Sequence, residues 1–227
     1  MKIFKFGGAS VKDADGVRNI LSVLKYTGFK DTFIVVSAMG KTTNALEKVV
    51  QSYFENKEHL PKKFEVVRFN HHKIVEDLFT EDKALVIEKI DALFDKALSF
   101  LSGNAVHNYS LVYDQVVSIG ELVSSTIISY YLRHEDIENT WLDARKCIKT
   151  DNYYRDANLN WEKTKTEILI MVKGKSTLIS QGFIGSAPNG MTTTLGREGS
   201  DYSAAIFAYA LVADSVTIWK DVPGVLN

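Results

Sequence analysis

The first ten residues of the chain, MKIFKFGGAS, constrain its fold more than any other stretch. Ile3, Phe4 and Phe6 are apolar residues of the kind that favours strands, so a buried strand is predicted here. The strand runs directly into Gly7 and Gly8, and a helical pattern follows. Glycines let a backbone approach a ligand closely, and the N–H groups at a helix N-terminus attract anions. The pattern predicts a phosphate-binding turn, although paired glycines also suit an ordinary tight turn.

Lys5 lies between two phenylalanines of this strand. A buried lysine is costly unless its charge is compensated. Because ligands of open α/β sheets bind at the carboxyl ends of the strands, Lys5 is predicted to present its charge to a phosphate. The alternative is a lysine at the edge of the sheet.

A helix and a second strand follow. Ser10 and Asp13 resemble a capping box, residues 17–24 have helical apolar spacing, and Gly28 is the predicted stop. The apolar run 33–36 suits a strand that is buried on both faces. Strand, helix and strand in this order predict a βαβ unit and therefore a parallel sheet.

The loop after the second strand, SAMGKTTN, contains a GKT that suggests a Walker A motif. That motif needs a glycine five residues before its second glycine. The residue five positions before Gly40 is Val35, inside the predicted strand, so a P-loop is rejected. Ser37, Thr42, Thr43 and Asn44 remain available to bind a small ligand. Alternatively, Thr43 and Asn44 only cap the helix that follows.

Residues from about 45 to 103 are predicted to form a helical insertion or lid, with the clearest apolar spacing over 62–79 and 84–100. His71 and His72 lie in this region. Adjacent residues point in different directions on a helix, so these two are poor joint metal ligands.

The segment YDQVVSIGELVSSTIISYYL predicts a long apolar helix that Gly120 and Glu121 interrupt. Glycine inside a helix costs about 1 kcal/mol relative to alanine, so Gly120 is expected to serve a close approach or a kink. Glu121 needs a partner if it is buried, and it could then receive a substrate ammonium group. The alternative is an exposed glutamate.

The stretch TTTLGREGSDYSAAIFAYALVA is the second candidate region. Arg197 offers a planar fork for a carboxylate or a phosphate. Ser200 or Gly199 is the predicted N-cap of a helix of small residues. Asp201, in the first turn, either complements the helix dipole or holds a lysine near a reacting phosphate.

Strands are also predicted at TWL, at 176–180 and at SVTIW, with a helix over 162–172. The last of these strands ends at Lys220 and Asp221. These two residues are therefore predicted to lie at the carboxyl edge of the sheet, where ligands bind.

The composition excludes several classes of function. A chain of 227 residues with 45% hydrophobic residues suits one domain, or two small ones, and not a disordered chain. The net charge of −1 predicts neither a nucleic-acid partner nor a membrane surface. Cys147 is the only cysteine, which excludes a cysteine zinc cluster and an internal disulfide and favours a cytoplasmic setting. No secretory signal and no apolar stretch of bilayer length are expected.

Together these motifs resemble the amino-acid-kinase family, and within it the aspartate kinases. The matching stretches are KFGGAS at 5–10, VVSAMGKTTN at 35–44, GE at 120–121, QGFIG at 181–185, TTTLGREGSDYSAA at 192–205 and WKDVPGV at 219–225. The resemblance implies an α/β fold, a three-layer αβα sandwich with a mainly parallel central sheet. It also implies transfer of the γ-phosphoryl group of ATP, with Mg²⁺, to the side-chain carboxylate of L-aspartate. The product, 4-phospho-L-aspartate, begins lysine, threonine and methionine biosynthesis.

The resemblance further implies roles for individual residues. Lys5 would stabilise charge on the transferred phosphoryl group, and Asp201 would orient Lys5. No protein ligand of Mg²⁺ is implied, because the nucleotide phosphates hold the ion. The implied substrate-binding residues are Ser37, Thr43, Glu121, Arg197 and Ser200, with Glu121 on the ammonium group and Arg197 on the α-carboxylate. The implied nucleotide-binding residues are Lys5, Gly7, Gly8, Ser10, Lys220 and Asp221.

Three features depart from the family pattern. Ala9 stands where Thr or Ser is usual, Lys220 replaces a common Thr, and the chain ends at Asn227. Residues 1–227 are therefore expected to be a catalytic domain that is incomplete on its nucleotide side and lacks the regulatory ACT domains, from a homo-oligomeric parent. The alternatives are a kinase for another acceptor, such as glutamate or carbamate, and a non-catalytic fragment that binds aspartate.

Overall fold

A computed structural model describes residues 1–220 of the chain. The strands are β1 (Lys2–Phe6), β2 (Thr32–Val36), β3 (Thr140–Leu142), β4 (Thr177–Gln181), β5 (Ile184–Ser186), β6 (Thr192–Thr194) and β7 (Ser215–Trp219). The helices are α1 (Ala14–Thr27), α2 (Thr42–Glu55), α3 (Leu60–Leu78), α4 (Lys83–Gly103), α5 (Tyr109–Val117), α6 (Ile119–His134), α7 (Ala144–Cys147), α8 (Trp161–Val172) and α9 (Gly199–Leu211).

The central sheet has five strands in the order β3-β4-β2-β1-β7, and all neighbouring pairs are parallel. Lys5 of β1 lies in register between Val35 of β2 and Ile218 of β7. Because the strands are parallel, their carboxyl ends meet along one edge of the sheet. A separate antiparallel pair, β5 and β6, follows β4 in the chain.

Helices cover both faces of this sheet. On one face α9 packs on β1 and β2, with α8 beside it, and on the other face α6 packs on β2, β3 and β4. Phe33 of β2 and Phe207 of α9 are in direct contact, with ring centroids 4.2 Å apart. All five residues of β2 are buried, as an apolar strand between two helical layers requires. The predicted αβα sandwich and its parallel sheet are confirmed.

The first helix begins later than the sequence predicted. The carboxylate of Asp13 accepts a hydrogen bond at 2.9 Å from the backbone N–H three residues later, so Asp13 is the N-cap of α1. Ser10 lies in a short 3₁₀ turn over residues 8–11, and its hydroxyl donates to the backbone oxygen of Trp219 at 3.3 Å. The predicted Ser10–Asp13 capping box is therefore wrong, whereas Gly28, with φ of 80°, ends α1 as predicted.

The predicted helical region is confirmed as α2, α3 and α4, which pack outside α6. Phe64 of α3 and Phe94 of α4 are fully buried and meet edge to face. Lys41 is the N-cap of α2, and Thr43 and Asn44 lie inside its first turn. The alternative that these two residues only cap the helix is therefore wrong.

Helices α5 and α6 form one nearly continuous helical run, Tyr109–His134, that is interrupted at Ser118. Among residues 1–220, this run is long and apolar enough, by length and composition alone, to cross a membrane. The expectation that no apolar stretch has bilayer length is therefore wrong. However, 89% of the apolar window is buried inside the protein, which is the behaviour of a core helix.

Candidate active site

A cleft with a cavity volume of about 570 Å³ opens at the carboxyl edge of the sheet. It lies where the turn after β1, the loop after β2, the start of α6 and the start of α9 converge. The parallel topology brings these segments together although they are distant in sequence. The lining residues are Lys5, Gly8, Ala9, Ser37, Ala38, Gly40, Thr43, Asn44, Glu121, Phe183, Gly196, Glu198, Gly199, Ser200 and Asp201.

Lys5 and Asp201 form an ion pair on one wall of this cleft. The Nζ of Lys5 lies 2.6 Å from Oδ1 of Asp201, and Lys5 is only 6% exposed. A buried lysine needs such a partner, and Asp201 is itself held in the first turn of α9. The Nζ of Lys220 lies 3.9 Å from the other oxygen of Asp201, and most of that interaction is screened by solvent. Asp201 therefore holds the Lys5 ammonium group at the cleft.

The glycine turn after β1 brings backbone against backbone. A Cβ on Gly8 would lie 2.7 Å from the carbonyl oxygen of Ala38, so only glycine allows this approach. Gly8 also accepts a hydrogen bond from the N–H of Gly40 at 2.9 Å. A Cβ on Gly7 would project to 3.6 Å from Nζ of Lys5, into the space over the ammonium group. The turn leaves this space open beside a positive charge, which fits a phosphate group.

Glu121 is buried in another wall of the same cleft, in the first turn of α6, and is 2% exposed. Its Oε1 accepts a hydrogen bond from the N–H of Ala38 at 3.4 Å, whereas Oε2 has no hydrogen-bond partner among the described residues. Burial raises the pKa of Glu121 to about 8. The alternative of an exposed Glu121 is wrong, and the free oxygen is suited to a cationic ligand.

Gly120 explains how Glu121 reaches the cleft. A Cβ on Gly120 would lie 2.9 Å from Cβ of Ala38 and 3.1 Å from Cγ2 of Thr42. The absence of a side chain therefore lets α6 approach the loop after β2. The hydroxyl of Ser124, one turn further along, donates to the backbone oxygen of Ser37 at 2.8 Å and fixes this contact.

The N-cap residue of α9 is not the one that the sequence predicted. Glu198, with φ of 56°, is the N-cap and has no side-chain capping bond, so neither Ser200 nor Gly199 is the cap. Ser200 lines the cleft and packs tightly against Gly182, where a Cβ would lie 2.6 Å from Cβ of Ser200.

Some of the predicted site residues line the cleft and others do not. The lining includes Lys5, Gly8, Ser37, Thr43, Glu121, Ser200 and Asp201. Arg197 is exposed and stands between the lining residues Gly196 and Glu198, but it is not itself part of the lining. Gly7, Ser10 and Lys220 adjoin the cleft without lining it. Asp221 lies outside the described residues.

Phe183 and Asp114 are among the residues of this region that sequence reasoning missed. Phe183 lines the cleft with φ of 70°, a conformation that no local pattern announces for a phenylalanine. Asp114 is completely buried beneath the loop that carries Arg197, and burial raises its pKa to about 6. The one available signal was its position among the apolar residues of α5, because a buried charged residue requires hydrogen-bond or ion-pair partners.

The two adjacent histidines point in different directions and have different partners. Nδ1 of His71 lies 2.8 Å from the backbone oxygen of Val67, and burial lowers the pKa of His71. His72 instead contacts Asp91 at 2.8 Å. Among residues 1–220 no group of three or more His, Cys, Asp or Glu side chains is placed to hold a metal ion.

A buried lysine, a glycine turn and helix N-termini around one cleft at the carboxyl edge of a parallel sheet are features that suit an α/β protein to a phosphate-containing ligand. The chain matches the model of the amino acid kinase family over residues 1–227. It belongs to that family.

Within this family, the chain is similar to aspartokinases. The chain is 33% identical to lysine-sensitive aspartokinase 3 of Escherichia coli (strain K12), over 98% of this chain and 49% of that protein. It is 30% identical to the chloroplastic bifunctional aspartokinase/homoserine dehydrogenase 2 of Arabidopsis thaliana, over 99% of this chain and 25% of that protein. The chain thus spans about half, or less, of the length of these curated relatives.

Solved structures that resemble this chain are also aspartokinases. Escherichia coli aspartokinase III matches with a TM-score of 0.89, both in complex with lysine and aspartate and in complex with aspartate and ADP. The identities are 32% and 31%, and each match covers 99% of this chain and 50% of the other. Clostridium acetobutylicum aspartate kinase matches with a TM-score of 0.80 at 23% identity, which supports the fold.

Proposed function

We propose that this chain is the catalytic region of an aspartate kinase, which transfers the γ-phosphoryl group of ATP to the side-chain carboxylate of L-aspartate. One observation carries the proposal: the cleft has the buried Lys5 on one wall and the buried Glu121, one of whose oxygens has no hydrogen-bond partner among the described residues, on another. A substrate with both an ammonium group and a reacting carboxylate is complementary to these two walls, with the ammonium group at Glu121 and the carboxylate at Lys5. The similarity to aspartokinases, two structures of which contain aspartate, supports this choice of acceptor.

The ends of the substrate are assigned by charge. The free oxygen of Glu121 would receive the ammonium group, which also favours the ionised form of that carboxyl. Arg197 would bind the α-carboxylate, since it is exposed and stands in the chain between the lining residues Gly196 and Glu198. Ser37, Thr43 and Ser200 would complete the pocket with hydroxyl groups. The side-chain carboxylate would then point toward Lys5.

The chemistry needs no general base, because a carboxylate is already ionised at neutral pH. One oxygen of the substrate side chain forms a bond to the γ-phosphorus. The bond from that phosphorus to the bridging oxygen breaks, and ADP leaves with the electron pair. Lys5 lowers the barrier by stabilising negative charge on the transferred group, and Asp201 keeps its Nζ in position.

The turn at Gly7 and Gly8 and the N-terminus of α9 would receive the phosphates of ATP. Mg²⁺ would neutralise phosphate charge there while it is held mainly by the nucleotide itself. Lys220 and Asp221 would begin the nucleotide site. Because the chain spans about half, or less, of the length of its curated relatives, residues 1–227 would be one part of a catalytic domain that holds the remaining nucleotide contacts elsewhere.

We assign the protein to the first step of lysine, threonine and methionine biosynthesis, in the cytoplasm. The thiol of Cys147 is buried, which is compatible with a reducing compartment. That the longer protein is a homo-oligomer stays a prediction.

Titration calorimetry with amino acids tests the substrate pocket. The 227-residue chain should bind L-aspartate more tightly than L-glutamate, and more tightly than succinate, which lacks the ammonium group. Glu121→Gln should weaken L-aspartate binding about 10-fold or more, because a charged hydrogen bond is lost. Glu138→Gln, an exposed change on the segment after α6, is the control and should have no effect. Preference for L-glutamate, or an unaffected Glu121→Gln variant, would refute the proposal.

A further inference from the structure

We infer that Asp114 is a positioning residue that ties the loop carrying Arg197 to the helix carrying Glu121. The inference rests on the proposed function, in which these two residues hold the α-carboxylate and the ammonium group of one substrate. Asp114 does not line the cleft, and the chemistry above does not use it. Its burial is complete, at 0% exposure, which is unusual for a carboxylate.

Four hydrogen bonds converge on the Asp114 carboxylate. The hydroxyl of Thr194 donates to Oδ1 at 2.7 Å, and the N–H of Thr194 donates to Oδ2 at 3.0 Å. The N–H of Arg155 donates to both oxygens, at 3.2 and 3.0 Å. All the partners are donors, so only the ionised carboxylate satisfies all of them. Asp114 thus joins the end of β6 to the segment around residue 155.

That segment is held in an unfavourable conformation. Arg155 has φ of 73°, in the left-handed region that a non-glycine residue adopts at a cost. The bonds to Asp114 and the stacking of its guanidinium over the Tyr113 ring, at 4.5 Å, compensate for this conformation. The arrangement persists because two neighbouring residues of α5 fix it together.

The strained segment is in turn interlocked with the loop that carries Arg197. The N–H of Ala157 donates to the backbone oxygen of Thr194 at 3.0 Å. Gly196, with φ of 74°, packs against Asp156 so closely that a Cβ would collide with its carboxylate. Arg197 makes no hydrogen bond or ion pair among the described residues. The backbone that Asp114 anchors therefore sets the position from which the Arg197 side chain reaches toward the cleft.

At its other end, Asp114 is connected through α5 to the start of α6, which carries Glu121. The backbone oxygen of Asp114 accepts a hydrogen bond from the N–H of Ser118 at 3.3 Å, and Ser118 accepts from Leu122 at 3.3 Å. The chain thus passes from Asp114 to Glu121 through hydrogen-bonded helical turns. One buried carboxylate therefore sets the spacing between the two groups that would hold the substrate.

A double-mutant cycle on L-aspartate binding tests this coupling. Asp114→Asn keeps the shape but turns an amide donor toward groups that are themselves donors. It should weaken L-aspartate binding about 10-fold in the unmodified background and cause no further loss in an Arg197→Ala background. Losses that add in the two backgrounds would overturn the inference, as would an unchanged affinity in Asp114→Asn.

A second pair of variants covers the case in which Asp114→Asn does not fold. Thr194→Val removes one of the four bonds and should show the same non-additivity with Arg197→Ala. Thr193→Val is the matched control, because its hydroxyl bonds Thr150 at 2.7 Å and not Asp114. Thr193→Val should leave L-aspartate affinity unchanged, and an equal loss in both threonine variants would overturn the inference. If the unmodified chain binds no L-aspartate, the proposed function fails, whereas binding with additive losses refutes only the role of Asp114.

Discussion

Glu121 is a carboxyl group whose burial raises its pKa from 4.5 to about 8. Its protonation therefore favours the folded state: the contribution is complete below the unfolded value and is lost as the pH rises through about 8. We expect the free energy of unfolding to fall over this range by up to about 1.4 kcal/mol per pH unit more steeply in the unmodified protein than in Glu121→Gln. Urea unfolding at several pH values measures the difference.

Glu138→Gln is the control for this experiment, because the exposed Glu138 should not alter the pH dependence. Parallel stability curves for the unmodified protein and Glu121→Gln would contradict a buried Glu121 with a raised pKa. The burial of Glu121 also bears on function. Ionisation of this buried carboxyl destabilises the fold, and one of its oxygens has no hydrogen-bond partner among the described residues, so its presence in a cleft is better explained by ligand binding than by a contribution to stability.

Lys5 is the residue on which the proposed chemistry depends most. Lys5→Ala removes the ammonium group 2.6 Å from Asp201 and should lower kcat about 10²- to 10³-fold, by analogy with loss of one transition-state donor. The KM for aspartate should change much less, because Glu121 and Arg197 would hold the substrate. Steady-state kinetics of the chain extended to the full length of its aspartokinase relatives provides the measurement.

Lys25→Ala serves as the control for Lys5→Ala. Lys25 is exposed and has only a weak pair with Glu135, at 3.8 Å, so its replacement should leave kcat unchanged. A Lys5→Ala variant with nearly full activity would exclude Lys5 from the chemistry.

At the level of elements, the approach of α6 to the loop after β2 depends on Gly120. Gly120→Ala would place a methyl group 2.9 Å from Cβ of Ala38 and should destabilise the fold by about 1–3 kcal/mol. The improved helix propensity, about 1 kcal/mol, offsets only part of this. Gly103→Ala, at the last residue of α4, should instead be neutral or stabilising, because the added Cβ would meet no other part of the protein within 4 Å. Urea unfolding of both variants compares them, and equal effects would contradict the close-packing explanation.

The sequence predicted the regular elements well, because their signals are local. The apolar run of β2, the glycine that ends α1 and the spacing in α3 and α4 each depend on residues a few positions apart. Cap positions were predicted less well. Asp13 caps α1 in place of Ser10, because the Ser10 hydroxyl instead bonds Trp219, more than two hundred positions away in the chain.

Across the whole molecule, the parallel sheet explains why most of the candidate site could be predicted. Lys5, Ser37 and Asp201 each follow, or lie near, a turn at the carboxyl edge, so topology alone brings them together. The position of Arg197 could not be predicted in this way. It depends on left-handed residues and on a buried carboxylate from another helix. The proximity of Asp114 to Thr194 has no local sequence signal.

The most direct test of the account is ATP-dependent formation of aspartyl phosphate, trapped with hydroxylamine. It is measured on the 227-residue chain and on the chain extended to the length of its aspartokinase relatives. We predict hydroxamate from L-aspartate in the extended chain, little or none from L-glutamate, and formation about 10²- to 10³-fold slower in Lys5→Ala. Absence of hydroxamate from both chains with both amino acids, or equal yields from L-aspartate and L-glutamate, would contradict the assignment of this cleft to aspartate phosphorylation.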